Sequence, residues 1–194
     1  MKRPGEAGER TYRWQDCRRF GTCDGAASAK QSACFTVAGA WLETPRRELV
    51  LLDAIRFQAE IPDQVAPIQK LYDDWKLAFI GMEAVASNVG LFQLAQRTRM
   101  TVKRLNPLGQ DKLIRATQAL VLAESGRIWL PESGVRLGMP LAAIETELLL
   151  FTGAEGADEF SDSVDMIAYA AKVMSEGPSD EARRAVPMIM GGNM

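Results

Sequence analysis

Three apolar stretches follow one another in the first third of the chain: Arg19–Ala27, Ala33–Leu42 (ACFTVAGAWL) and Glu48–Phe57 (ELVLLDAIRF). Each reads as a strand, and the connection Glu43–Arg47, with Pro45, is short enough to join the last two as a hairpin. A chain that opens on three strands is committed to a sheet, and the segments after it must cover that sheet. Pro62 then opens a helix at its first turn, with Val65, Ile68, Leu71, Tyr72 and Trp75 at helical spacing. A fourth strand, Leu77–Glu83 (LAFIGME), leads through Ser87 or Asn88, as N-cap, into a helix with Leu91, Leu94 and Ala95 on one face. Met100–Leu105 is a fifth strand, Asn106–Gly109 a turn, Asp111–Ser125 a helix stopped by Gly126, and Arg127–Leu130 a short strand. Leu141–Phe151 is a helix, a loop spans Thr152–Ala157, and Ser161 caps a last helix that runs to about Met174. The fold class is therefore α/β: a mixed sheet, antiparallel in its first three strands and parallel afterwards, flanked by helices.

With 194 residues, 47% of them hydrophobic and 25% charged, the chain can build one core without disulfides or a structural metal. Residues 1–18 read as an N-terminal extension, 19–174 as the folded domain, and 175–194, without periodicity, as a flexible tail. The longest apolar runs, Leu49–Leu52 and Leu148–Phe151, are far shorter than a membrane span needs. Met1–Arg10 lacks the basic-then-apolar pattern of a secretory signal, so a cytoplasmic setting with no membrane partner is expected.

Histidine is absent from the sequence. That removes imidazole triads and dyads, HExxH sites and Cys/His zinc fingers. Neither GxxxxGK[ST] nor GxGxxG is present, so phosphate-cradling glycine loops are missing too. Cys17, Cys23 and Cys34 are odd in number and fit reduced thiols; three thiolates and a carboxylate could hold zinc, but buried structural cysteines are the plainer reading. Chemistry is left to carboxylates, lysines and arginines.

Net charge is only -2, yet its distribution is uneven. Six basic residues (Arg97, Arg99, Lys103, Arg104, Lys112, Arg115) face one acid between Arg97 and Arg115, whereas eight acids face one base between Glu155 and Glu181. A basic groove beside an acidic focus suits an enzyme that holds a polyanion and cuts it with metal ions; ordinary solvated faces would give the same counts. Asp24 sits near the end of the first strand beside Gly25, Ala26 and Ala27, which let backbone or ligand come close. Glu83 closes the fourth strand after an apolar run, where an unpaired carboxylate is costly. Asp162 and Asp165, three apart, share one face of the last helix's first turn, where acids also simply complement the helix dipole. Taken together, four acids from three elements point to a metal site.

Five segments in this order, RFGTCDGAASAKQSACFTV, ELVLLDAIRF, IGMEAVASNVGLFQLAQ, QDKLIRATQALVLAESGRIWLP and SDSVDMIAYA, resemble the C-terminal nuclease domain of phage large terminase subunits, over about Arg19–Ala171. The resemblance implies an RNase H-like fold and a metal-dependent endonuclease, a phosphodiester hydrolase that cuts concatemeric viral DNA during genome packaging in the host cytoplasm. It implies Asp24, Glu83, Asp162 and Asp165 as catalytic metal ligands for two magnesium or manganese ions, with Asp24 bridging both. Lys112 and Arg115 match the basic pair of the family's DKxxRA stretch and, with Lys103 and Arg104, would meet double-stranded DNA. The implied partners are a terminase ATPase motor, a small terminase subunit and a portal. The sequence departs from the family at Phe160-Ser161-Asp162, where His-Asp-Asp is common, and at Cys34, where an acid is common. The motor that usually precedes such a domain is not in this sequence, so an excised domain, a split gene product or a remnant is expected, with 1–18 as the former interdomain stretch. A junction resolvase or hybrid nuclease would use the same acids, and a non-catalytic packaging or assembly module would use them only to cap helices.

Overall fold

The expected hairpin forms between β2 (Thr36–Glu43) and β3 (Leu49–Phe57), closed by the Thr44–Arg47 turn, in which Arg47 N–H donates to the Thr44 carbonyl at 2.9 Å and Arg47 takes a φ of 60°. The computed structural model describes residues 11–26, 35–84, 89–105, 112–132, 137–152 and 162–177. The remaining elements are β1 (Arg18–Asp24), α1 (Ile61–Asp74), β4 (Ile80–Glu83), α2 (Val89–Gln96), β5 (Val102–Leu105), α3 (Lys112–Glu124), β6 (Ile128–Trp129), α4 (Leu141–Leu150) and α5 (Asp162–Glu176). A 3-10 turn, Trp14–Asp16, precedes β1. The Ser87/Asn88 and Ser161 caps, the Asn106–Gly109 turn, most of the Thr152–Ala157 loop, Cys34 and the tail beyond Gly177 lie outside the described residues.

The six strands form one sheet in the order β5-β4-β1-β2-β3-β6. The pairs β1–β2 and β2–β3 are antiparallel, and β1–β4, β4–β5 and β3–β6 are parallel. This is the mixed sheet expected from the strand-then-alternation pattern. β2 is buried along its whole length, as a central strand between two helical layers must be. On one face Cys23, Ala38, Ala40, Ile80 and Met82 pack with Ile68 and Leu71 of α1 and Leu91 and Ala95 of α2. On the other, Phe20, Val37, Trp41, Leu51 and Ala54 pack with α5 and, above it, with α3 and α4. Nearly every side chain of α5 from Ser163 to Met174 is buried, so this helix runs through the core with the sheet beneath it.

Gly126 stops α3 as its sequence position suggested: at φ 63° it lets its own N–H reach the Ala123 carbonyl and Arg127 N–H reach that of Leu122, a Schellman closure. Elsewhere a glycine is set by space. A Cβ on Gly39 would stand 2.7 Å from Met166 Sδ and 2.9 Å from Trp41 Nε1. Gly39→Ala is therefore expected to cost about 1–3 kcal/mol, seen as a lower urea midpoint with an unchanged slope. An unchanged midpoint would show that α5 can move off the sheet freely. Among the described residues no helix is long and apolar enough to cross a membrane.

Candidate functional site

The direction of α5 decides which residues can meet. Arg18, the first residue of β1, donates to the carbonyls of Gly177 (3.1 Å) and Val173 (3.2 Å), and Thr22 Oγ1 donates to the carbonyl of Met166 (3.0 Å). The helix thus runs antiparallel to β1, and its first turn, with Asp162 and Asp165, lies toward the end of the strand that carries Asp24. Trp41 Nε1 donates to the same Thr22 hydroxyl at 2.9 Å, fixing strand, neighbour and helix to one another.

Strand register aligns the rest. Cys23 lies beside Met82, so one residue further along both parallel strands Asp24 and Glu83 end side by side. Asp24 pairs with Val37, Val37 with Arg56, and Glu83 with Leu105. Strand alternation puts Asp24 on the face of Thr22, toward α5, and puts Glu83 opposite to Met82, which packs under α1 and α2. One row across the sheet therefore reads Leu105, Glu83, Asp24, Val37, Arg56, beneath the start of α5. Asp24 and Glu83 are half-buried, Asp162 is 23% exposed and Asp165 only 5%.

Among the described residues the charged donors named at this end are carboxylates, hard oxygen ligands that suit magnesium or manganese better than zinc. Among the described residues no three acidic or thiol side chains stand close enough to form a ready-made cage. Magnesium is ordinarily held by one or two carboxylates and keeps several waters, so a pair such as Asp24 and Glu83 matches the number of protein ligands it usually takes. The thiols do not join in. Cys23 points to the opposite face, where burial, and secondarily the charge of Asp24, push its pKa far up, so it stays a neutral thiol. Cys17 lies before β1, about 20 Å away at the strand rise per residue. The zinc alternative therefore finds no support among the described cysteines.

Three solved structures share this arrangement of strands and helices. All are of the large terminase nuclease from thermophilic phage G20c: one at TM-score 0.58 and 15% identity, one with bound magnesium at 0.62 and 16%, and one with bound zinc at 0.60 and 17%. Each alignment covers 83% of this chain, and 84%, 83% and 83% of the respective neighbour. The fold is that of a large terminase nuclease. No protein-family model matches the chain, and no curated protein matches it.

In this terminase-nuclease fold the expected acids fall unequally. Asp24, Glu83 and the first turn of α5 share one end of one sheet face, but Asp162 is engaged: its Oδ2 lies 3.4 Å from Arg56 Nη2. Arg56 Nη1 also donates to Glu147 Oε1 of α4 at 2.6 Å, and its guanidinium lies 4.1 Å above the Phe35 ring. Glu147 Oε2 accepts the N–H of Ser163 at 2.9 Å, satisfying one of the open donors at the start of α5. Arg56 and Glu147 are the site neighbours that sequence reasoning missed. Their only signal is that each is one of two charges in an otherwise apolar run, with Asp53 in LVLLDAIRF and with Glu145 in LAAIETELLL. Gln64 was missed as well: buried on the apolar stripe of α1, it donates to the carbonyls of Ala26 and Ala59, both at 2.9 Å, and so steadies the chain just after Asp24. Gly25 leaves room for Leu91 of α2, whose Cδ2 would be 2.5 Å from an added Cβ, so protein rather than ligand makes the close approach there.

Of the basic residues, Lys103 and Arg104 are exposed on β5. Arg104 donates to the Ala84 carbonyl, one residue past Glu83, at 2.8 Å, and the Lys103 ammonium lies 4.1 Å above the Phe79 ring. Lys103 pairs with Gly81, which shares the face of Glu83. The side chains of Lys112 and Arg115 lie outside the described residues, although the backbone places both in the first turns of α3.

Proposed function

We propose that this chain is a metal-dependent DNA endonuclease of the large-terminase type, which cuts concatemeric viral DNA during genome packaging. The observation that carries the reading is the juxtaposition of Asp24 and Glu83 in one row beneath the helix start that bears Asp162 and Asp165. The neighbours in the same fold are terminase nucleases, one of them with bound magnesium, which supports both the chemistry and the cation. Residues 19–174 form the nuclease unit in this reading, with 1–18 as an extension toward a motor domain and 175–194 as a tail. Working partners would be an ATPase motor, a small terminase subunit and a portal, in the host cytoplasm.

Asp24, on a central strand of the sheet, would be the shared ligand for two magnesium or manganese ions in this reading, with Glu83 and Asp165 or Asp162 as the further ligands. When bound, such ions supply charge neutralisation for the attacking water and the leaving oxygen of an in-line phosphodiester displacement. The chain itself has no imidazole to act as general base. Lys103 and Arg104, near Glu83, and Lys112 and Arg115 at the start of α3 would hold the phosphate backbone. Supercoiled plasmid incubated with the purified chain is expected to be nicked with manganese, more weakly with magnesium, and not in excess chelator. Cutting that persists in chelator, or none with either ion, overturns the reading. Replacing Lys112 and Arg115 by Ala should flatten the slope of log K against log salt by up to about two phosphate contacts' worth, across all sequences; an unchanged slope moves the DNA path elsewhere.

A further inference from the structure

Resting on the nuclease reading above, we propose that Gln64 and Thr36 are positioning residues for DNA cleavage: they clamp the chain as it leaves β1 and so fix the stance of the Asp24 carboxylate. The regular ladder ends with Asp24, which pairs with Val37 as the last residue of β1. Two residues further, the peptide groups of Ala26 are taken up by side chains instead. Its N–H donates to Thr36 Oγ1 at 3.1 Å, and its carbonyl accepts from Gln64 Nε2 at 2.9 Å. The same Gln64 amide also donates to the carbonyl of Ala59 at 2.9 Å, which ties the clamp to the start of α1. Thr36 and Gln64 are fully buried and Ala26 nearly so, and water therefore gives these groups little alternative to one another.

Between the acid and the clamp stands Gly25. A glycine restrains its own dihedrals least of all residues, so it does not by itself hold the bond that leads out of Asp24. Its neighbours press from the face opposite to Asp24: Leu91 Cδ2 and Gln64 Oε1 lie 2.5 and 3.6 Å from where a Cβ of residue 25 would stand. At Ala26 the chain is tied again, by one side chain from β2 and one from α1. The Asp24 carboxylate thus hangs between two restraints, the ladder before it and the clamp after it. A misplacement of about 1 Å can lower a rate about a hundredfold, so slack in the second restraint would be felt in cutting. Gln64 gives its amide hydrogens to two carbonyls, while its Oε1 accepts no hydrogen bond among the described residues. A buried amide kept as a donor, on a helix face otherwise packed by Ile68 and Leu71, does what an apolar side chain there could not.

The test takes two measurements on the full chain. The first is amide exchange of Ala26 in chelator, so that no cation takes part. Gln64→Met keeps the length and the apolar packing but has no N–H to give; the Ala26 proton is expected to exchange at least about tenfold faster, with the amides between β2 and β3 unchanged. The second is single-turnover cutting of DNA, with affinity for the same DNA measured alongside. The rate is expected to fall about ten- to a hundredfold, the range for residues that orient a ligand from behind, while DNA affinity changes by less than about twofold. Thr36→Val removes the other half of the clamp and should give the same pattern if Gln64→Met does not fold. Ile68→Val, fully buried on the same helix, loses packing without touching the clamp and should cut at the wild-type rate below its melting temperature. A folded clamp variant that cuts at the wild-type rate, an equal loss in Ile68→Val, or an Ala26 exchange rate unchanged in the clamp variants overturns the inference and leaves the nuclease reading standing. Wild-type protein that does not cut removes the nuclease reading itself, and the clamp's part in cutting with it.

Discussion

Asparagine at position 24 is expected to lower manganese-supported DNA cleavage by more than about a hundredfold. Changes in residues that merely orient metal ligands typically cost ten- to a hundredfold, and Asp24 is proposed as a direct, bridging ligand, so its loss should exceed that range. The fold should survive the change, since β1 is held to β2 and β4 through its backbone and the new side chain has nearly the same shape. Removing one of several neighbouring negative charges should, if anything, raise the melting temperature in chelator and shrink the increase that manganese produces. The decisive comparison is single-turnover cutting by wild type and variant with matched circular dichroism spectra. A variant that keeps a tenth or more of wild-type activity would mean that Asp24 does not bridge ions.

Glu147→Ala should produce the largest change in stability. The substitution removes the shorter ion pair of the Arg56 guanidinium, which is 17% exposed, and it strips the Ser163 N–H of its Glu147 acceptor. Breaking a buried pair from one side costs about 3–5 kcal/mol. For a chain of this length the lower figure corresponds to a fall of about 6–12 °C in melting temperature. Glu147→Gln should lose much less, because an amide oxygen can still accept from Ser163 or Arg56. Thermal melts within about 2 °C of wild type for Glu147→Ala would show that solvent screens this cluster far more than its burial suggests.

The sheet was legible because strand alternation and short connections are local properties. Pro45 in the turn, Pro62 in the first turn of α1 and Gly126 after α3 each act within a few residues, and each lies where the pattern placed it. β4 and β5 begin later than the apolar runs suggested, at Ile80 and Val102 rather than Leu77 and Met100. Leu77 and Met100 are buried on the approach to the sheet, and burial shapes a sequence whether or not the backbone there is paired. Asp24 and Glu83 were recognisable as strand-end acids after buried runs. Arg56 and Glu147 were not, since their partnership joins β3 to α4 across 91 residues of sequence and depends on a bulge that reverses strand parity. No count of alternating residues in LVLLDAIRF reveals where one residue drops out of register. Nor does spacing tell that an acid in the first turn of α5 already has an arginine beside it.

The burial of α5 on all sides has a kinetic consequence for any ion bound at its start. Amide protons in such a helix are expected to exchange only when the whole domain opens, and those of edge strands such as β5 and β6 through smaller openings. A cation held between Asp24 and the first turn of α5 would link two elements of the buried core. Its binding energy then adds to the barrier against complete unfolding rather than to the protection of a loop, and the bound ion leaves either through side-chain rotation or not until the domain itself comes apart.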